Sequence, residues 1–175
     1  MAKNSLDIFA AAASNDWGPL STKMIAAMRR HMENLLRAAP TEAWLQDLHR
    51  DVPPSRELVR DARHGFVLQA HFEPEGLYRP PHDHGRNWVI YAVAAGESEM
   101  GSYARIEAAD GTARLIRRGS TRIGPGQVRV YFPGDIHDTR CTGGPALLYR
   151  FTERDLKGES GIVRYVERDG DWVAP

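Results

Sequence analysis

GLYRPPHDHGRNWVIYAVAAG, residues 76–96, is the stretch whose reading decides the fold. It carries a His-x-His pair, His82 and His84, between two glycines and ahead of an apolar run. On a β-strand, residues two apart share a face and lie about 7 Å apart along the chain. Two imidazoles so placed converge on one ion at roughly 2.1 Å per bond. A second stretch, GPGQVRVYFPGDIH (124–137), delivers His137 directly after Pro133-Gly134-Asp135. A third ligand must come from another strand, and His137 is the candidate. The sequence thus points to a metal site made of His82, His84 and His137.

The totals bound the rest. A chain of 175 residues supports one domain with a core and is short for two. Lys+Arg and Asp+Glu number 23 each, so no excess charge favours nucleic acid or an anionic membrane as partner. No apolar run approaches the roughly 18 residues of a spanning helix. The N-terminal MAKNSLDIFAAAASNDWG is a poor signal peptide, because Asp7 interrupts its apolar region and its basic flank is one lysine. A single cysteine, Cys141, excludes an internal disulfide and fits a reducing compartment, so a cytoplasmic location is expected.

Outward from the histidines the chain divides into a helical segment, 1–52, and a β-rich one, 53–175. Within 21–38, Met24, Met28, Met32 and Leu35 recur at helical spacing, with Ile25 and Leu36 widening the stripe. Ser21 or Thr22 caps its start, and Pro40 marks its end. A shorter helix follows from Thr41, with Trp44, Leu45 and Leu48 on one side. The methionine stripe is read as packing on the domain, with a partner-binding face as the functional alternative. Asp51-Val-Pro-Pro-Ser55 breaks the helical pattern. Strands are expected near 64–72, 77–81, 87–94, 97–107, 112–118, 127–132, 137–141, 145–152 and 162–167. Short strands at this spacing predict a sandwich or barrel rather than βαβ units.

These residues resemble the cupin superfamily of double-stranded β-helix barrels (jelly rolls). Gly76, His82, His84 and Gly96 match its first motif, and Gly126, Pro133, Gly134 and His137 its second. The resemblance covers about residues 64–152, and it implies a mainly β cupin barrel carrying N-terminal helices. Where the first motif has a metal-binding Glu, this chain has Val89. Three-histidine sites of that kind resemble those of the cysteine dioxygenase-like thiol dioxygenases. That resemblance implies Fe(II), with Zn or Ni as ions found on purification, and oxidation of a small-molecule thiol to its sulfinate with O2. By the same resemblance Arg56 falls where the family has an arginine that pairs with the substrate carboxylate, a contact suited to a bidentate guanidinium. Arg79, just before the metal motif, is a second candidate for meeting an anion. The Ser-x-His-x-Tyr run of those enzymes is not intact here. One alignment puts Leu148, Arg150 and Thr152 at its positions, and another places Tyr149 at the tyrosine, read either as a barrel-packing aromatic or as the catalytic residue. Pairing of cupin barrels makes a homodimer an expectation of the resemblance.

Several neighbours carry rival readings. Asp83 lies between the two histidines and points away from them on a strand. Asp135 and Asp138 flank His137 as groups that orient an imidazole or simply serve the turn. Cys141 is a small buried filler or a thiol near the metal. The alternatives to a thiol dioxygenase are other cupin metal chemistry (diketone cleavage, lyase or isomerase work) and a binding or sensing module without turnover.

Overall fold

The computed structural model describes residues 3–107 and 111–175. Three helices lead. The first, α1 (Ser5–Asn15), occupies the segment weighed above as a leader. Asn4 and Asp7 form a capping box, with Asp7 N donating to Asn4 Oδ1 at 2.9 Å. The second, α2 (Thr22–Leu35), starts where Met24 N donates to Ser21 Oγ at 3.2 Å, and it buries Met24, Met28, Met32 and Leu35. The third, α3 (Ala43–Asp51), ends at Val52, which turns the chain with φ 42°.

Nine strands follow: β1 (Arg56–Arg60), β2 (Val67–Glu73), β3 (Tyr78–His82), β4 (Val89–Glu107), β5 (Ala113–Ile123), β6 (Val128–Tyr131), β7 (Ile136–Thr152), β8 (Val166–Arg168) and β9 (Asp171–Val173). Four of the expected strands merge into two. The runs 87–94 and 97–107 are one strand, β4, and 137–141 and 145–152 are one strand, β7. These two pair antiparallel along nearly their whole length. The first half of β4 lies beside the second half of β7, with β2 and β6 flanking them; the remaining halves continue into β3 and β5. Each long strand therefore passes from one side of a curled sheet to the other. The result is the double-stranded β-helix that the motif spacing predicts.

The strands turn this corner where register shifts interrupt the pairing, between Val93 and Ser98. Gly96 sits there with φ 73°, and a Cβ on it would lie 2.5 Å from the Gly143 carbonyl oxygen and 2.6 Å from Ala146 Cα. That crowding is why the motif ends in glycine. Two differences concern the margins. β1 forms just past the break at 51–55, where no strand is expected, because it needs only to add an edge to β2. The expected strand 162–167 shrinks to β8, which pairs with β9 across the Asp169-Gly170 turn.

Two apolar layers result. Met28, Met32 and Leu48 of the helices meet Phe66, Leu68, Ile90, Leu147 and Phe151 on the outer face of one half. Inside the barrel, Val89, Val93, Met100, Ile123 and Leu148 pack with Tyr91 and Tyr131. Among the described residues no helix is long and apolar enough to cross a membrane.

Candidate metal centre

His82 is the last residue of β3 and stands directly opposite His137 on β7. His137 faces the interior because the turn before it is fixed. Asp135 accepts from Phe132 N at 2.8 Å, Gly134 takes φ 85°, and β7 begins at Ile136. His84 lies beyond the strand, so strand alternation alone does not place it. Its loop is folded by Asp83, whose Oδ1 accepts from Gly85 N at 2.9 Å and from Val163 N at 3.0 Å. The C-terminal segment runs along this loop, with Tyr165 N donating to Pro81 O at 2.9 Å and Asn87 Nδ2 to Glu159 Oε2 at 3.0 Å.

The three rings converge. Their candidate ligand atoms all lie within 4.8 Å of one another, and the Nε2 atoms of His84 and His137 are 3.4 Å apart. Nitrogens on one ion at about 2.1 Å stand roughly 3.0 to 3.4 Å apart, depending on the bond angle. His82 Nδ1 lies 2.8 Å from the Pro80 carbonyl oxygen. A carbonyl only accepts, so that nitrogen carries the proton and Nε2 keeps its lone pair. The Nδ1 atoms of His84 and His137 are buried without partners. These nitrogens point away from the common centre, and it is the convergence of the opposite ring nitrogens that suits an ion. This donor set fits a metal ion. Among the described residues no carboxylate or thiol joins the group, and Val89 is 0% exposed within the apolar interior.

Burial disfavours the charged form of each ring, so all three are held below the ordinary histidine value. His84 falls to about 3, and His137 drops well below its usual range. Lesser causes include Arg79, Arg150 and Arg164, which place positive charge around the rings. Arg79 forms an ion pair with the buried Glu73 at 2.9 Å. Arg150 donates through Nη2 to Gln69, while its Nε is buried without a partner. Arg164 forms a bridge opposite His82.

The other candidates separate by face. Arg56 stands opposite Ala70, and Ala70 opposite Tyr149, in a row that continues to Ala92. That row faces the helices: Ala70, Ala92 and Tyr149 belong to the helix–barrel core, and the Tyr149 ring lies 6.1 Å from Trp44. Tyr149 is therefore a packing aromatic on the wrong face to touch a metal. Arg56, which bonds Asp51 at 2.8 Å, is likewise kept from the interior. Neither orienting aspartate touches an imidazole. Asp135 fixes its turn, and Asp138 points outward to accept from Tyr78 Oη at 3.0 Å and Tyr103 Oη at 2.5 Å. Cys141 is buried, its thiol raised by that burial and donating to Glu73 O at 3.4 Å.

The row of opposite parity, Gln69–Arg150–Tyr91, faces inward. Tyr91 Oη lies 3.3 Å from His84 Nε2, and the Tyr131 ring stacks on His137 at 3.8 Å. His71 is also inside, held to about 3 by burial and then by Arg150 and Arg79. The sequence reading missed Tyr91 and Arg150 as site residues. Tyr91 is findable, since it follows Val89 by one strand repeat on the same face.

No family model and no curated protein matches the sequence. Solved structures that resemble it include KdgF from Halomonas sp., at 16% identity over 56% of this chain and 74% of that one, with a TM-score of 0.45. The cupin domain of Schizosaccharomyces pombe Cnp3 is 17% identical over 58% of this chain and 64% of that one, with a TM-score of 0.44. BH2720 from Bacillus halodurans is 14% identical over 64% and 78%, with a TM-score of 0.48. The double-stranded β-helix rests on the strand pairing described above. Likenesses this distant say nothing of the chemistry, which must come from the site.

Proposed function

We propose that the protein is a non-heme iron dioxygenase of thiol-dioxygenase type, acting on a small thiol that also carries a negative charge. The observation that carries this reading is the donor set: three neutral imidazoles, two of them buried, with ligand atoms within 4.8 Å of one another and no carboxylate among them. His82, His84 and His137 would hold the ion. Iron bound there supplies the redox chemistry that joins dioxygen to sulfur.

The remaining work belongs to the chain. Neutral imidazoles leave a divalent ion's charge uncompensated, which favours an anionic sulfur ligand over a neutral one. Arg79, Arg150 and Arg164 add positive charge at the same place. A carboxylate on the substrate gains most from Arg150, whose Nε has no protein partner. Val89, Val93, Met100 and Leu148 line the interior with apolar surface, which keeps water from the reacting thiol. Arg56 has no part in this binding mode, because it lies on the helix-covered row.

The test is oxygen uptake by anaerobically Fe(II)-loaded protein with cysteine, 3-mercaptopropionate and cysteamine supplied separately. Uptake with a sulfinate product, stronger for the two carboxylate thiols than for cysteamine, is expected. Stoichiometric iron with no thiol-dependent uptake would refute the thiol reading and leave the metal assignment standing.

A further inference from the structure

Three histidines leave the ion without an anionic protein ligand, yet the structure brings one more oxygen to the place where it would be held. Tyr91 Oη lies 3.3 Å from His84 Nε2, nearly the separation of the His84 and His137 Nε2 atoms at 3.4 Å. Both spacings suit neighbouring ligand atoms on one ion at bonds of about 2.1 Å. We propose that Tyr91 is a fourth metal ligand, binding through its phenolic oxygen beside His82, His84 and His137. This rests on the three-histidine reading above.

Position on the strand supports it. The motif's missing carboxylate falls at Val89, and Tyr91 follows on the same strand, two residues on and on the same inward face. The longer side chain starts one strand repeat further away and still reaches the histidines. A phenolate from Tyr91 would offset one of a divalent ion's two charges and leave the other for an anionic sulfur ligand.

The hydrogen bonding also supports it. Tyr91 Oη and His84 Nε2 are in hydrogen-bond contact at 3.3 Å, so the phenolic oxygen already turns toward the ring nitrogen that would face the ion. Binding an ion through that oxygen would break the O–H bond, form the oxygen–metal bond and pass the proton to solvent. Arg150 is the neighbour of Tyr91 across the β4–β7 pairing, and Gln69 holds its far arm. Burial raises the Tyr91 phenol above its ordinary value, and the Arg150 guanidinium beside it works in the opposite direction, toward the charged form. An ion so held keeps sites for external ligands, as the proposed chemistry requires.

Phenolate bound to ferric iron absorbs visible light by charge transfer, and imidazole does not. Wild type, Tyr91→Phe and Tyr131→Phe proteins would be loaded with Fe(II), oxidised with one equivalent of ferricyanide, and assayed for iron content and visible absorption. A visible band with phenolate modes in resonance Raman is expected for wild type and Tyr131→Phe. Tyr91→Phe should keep its iron and lose the band. Wild-type protein with stoichiometric iron and no such band overturns the proposal while sparing the three-histidine site. A band that survives Tyr91→Phe overturns it as well. Wild-type protein that takes up no iron overturns the three-histidine reading, and the proposal falls with it.

Discussion

The buried histidines predict an unusual pH dependence of metal affinity. An ordinary imidazole titrates near pH 6.5, so at pH 5.5 a proton occupies roughly ten of every eleven rings and must be displaced by the metal. Three such ligands would lose affinity by several hundred-fold between pH 7 and 5.5, on the order of a factor of ten each at the lower pH. The site here differs because burial favours the uncharged ring, and the folded values lie below the free one. His84 sits at about 3, with His82 lowered and His137 lowered well below its usual range. His84 is then already unprotonated at pH 5.5, and the other two rings hold fewer protons than free imidazoles, so the rings add little to the pH dependence. The one proton released by Tyr91 gives about tenfold per pH unit, roughly 30-fold between pH 7 and 5.5, and Tyr91→Phe should change by no more than about threefold. Equilibrium dialysis against Co(II) at the two pH values measures this. Calorimetry in buffers of differing ionisation enthalpy adds a proton count. Ordinary imidazoles would release roughly two protons per metal at pH 6. This site should release about one, from Tyr91, and Tyr91→Phe close to none. A loss of several hundred-fold in Tyr91→Phe at pH 5.5 would refute the reasoning, since it would mean the rings are solvated and charged.

Metal-free protein should also lose stability in acid. Its folded His71 and His84 refuse protons down to about 3, whereas the unfolded chain takes them up below roughly pH 6.5. Stability is therefore full above that pH and falls as pH drops, by about 3 kcal/mol per unit for the pair, which urea titrations at pH 7 and 5.5 would detect. Replacing Tyr149 by Phe should leave thiol oxidation unchanged, because the ring faces the helices; Tyr149→Ala should cost about 3 to 5 kcal/mol in denaturant melts. A catalytic Tyr149 would give the opposite pattern, with activity lost in the Phe variant. Arg150→Met should raise KM for 3-mercaptopropionate by about 10- to 100-fold with little effect on cysteamine. An equal effect on both thiols would remove Arg150 as the carboxylate anchor. Gly96→Ala should lower stability by about 1 to 3 kcal/mol, since a side chain at φ 73° would meet the Gly143 carbonyl at 2.5 Å.

What could be read from the sequence follows from which features are local. The histidines were legible because motif spacing and a turn of Pro133-Gly134-Asp135 fix them within a few residues of their strands. The methionine stripe of α2 was legible for the same reason, as helical periodicity needs only its own segment. By contrast α1 falls inside the helical segment 1–52 but was not separated as a helix of its own: its alanine-rich run has little polar face to read, and its cap depends on Asn4 and Asp7.

The misplaced site residues failed at the corners. On β7, His137 faces inward, and counting by twos along an unbroken strand would bring Tyr149 to the same face. The structure turns Leu148 and Arg150 inward instead, so the parity changes between Cys141 and Ala146. β4 does the same, with Val89, Tyr91 and Val93 inward before Gly96 and Met100 inward after it. A one-residue shift exchanges the two faces of everything beyond it. Nothing local to residues 146–152 records that shift, because it arises where β4 and β7 bend together and Gly96 meets Gly143. Tyr91 escapes the problem, since it lies on the same side of the corner as Val89. A search for the missing anionic ligand is therefore best made one repeat along the strand that lost it, before any residue beyond the bend is considered.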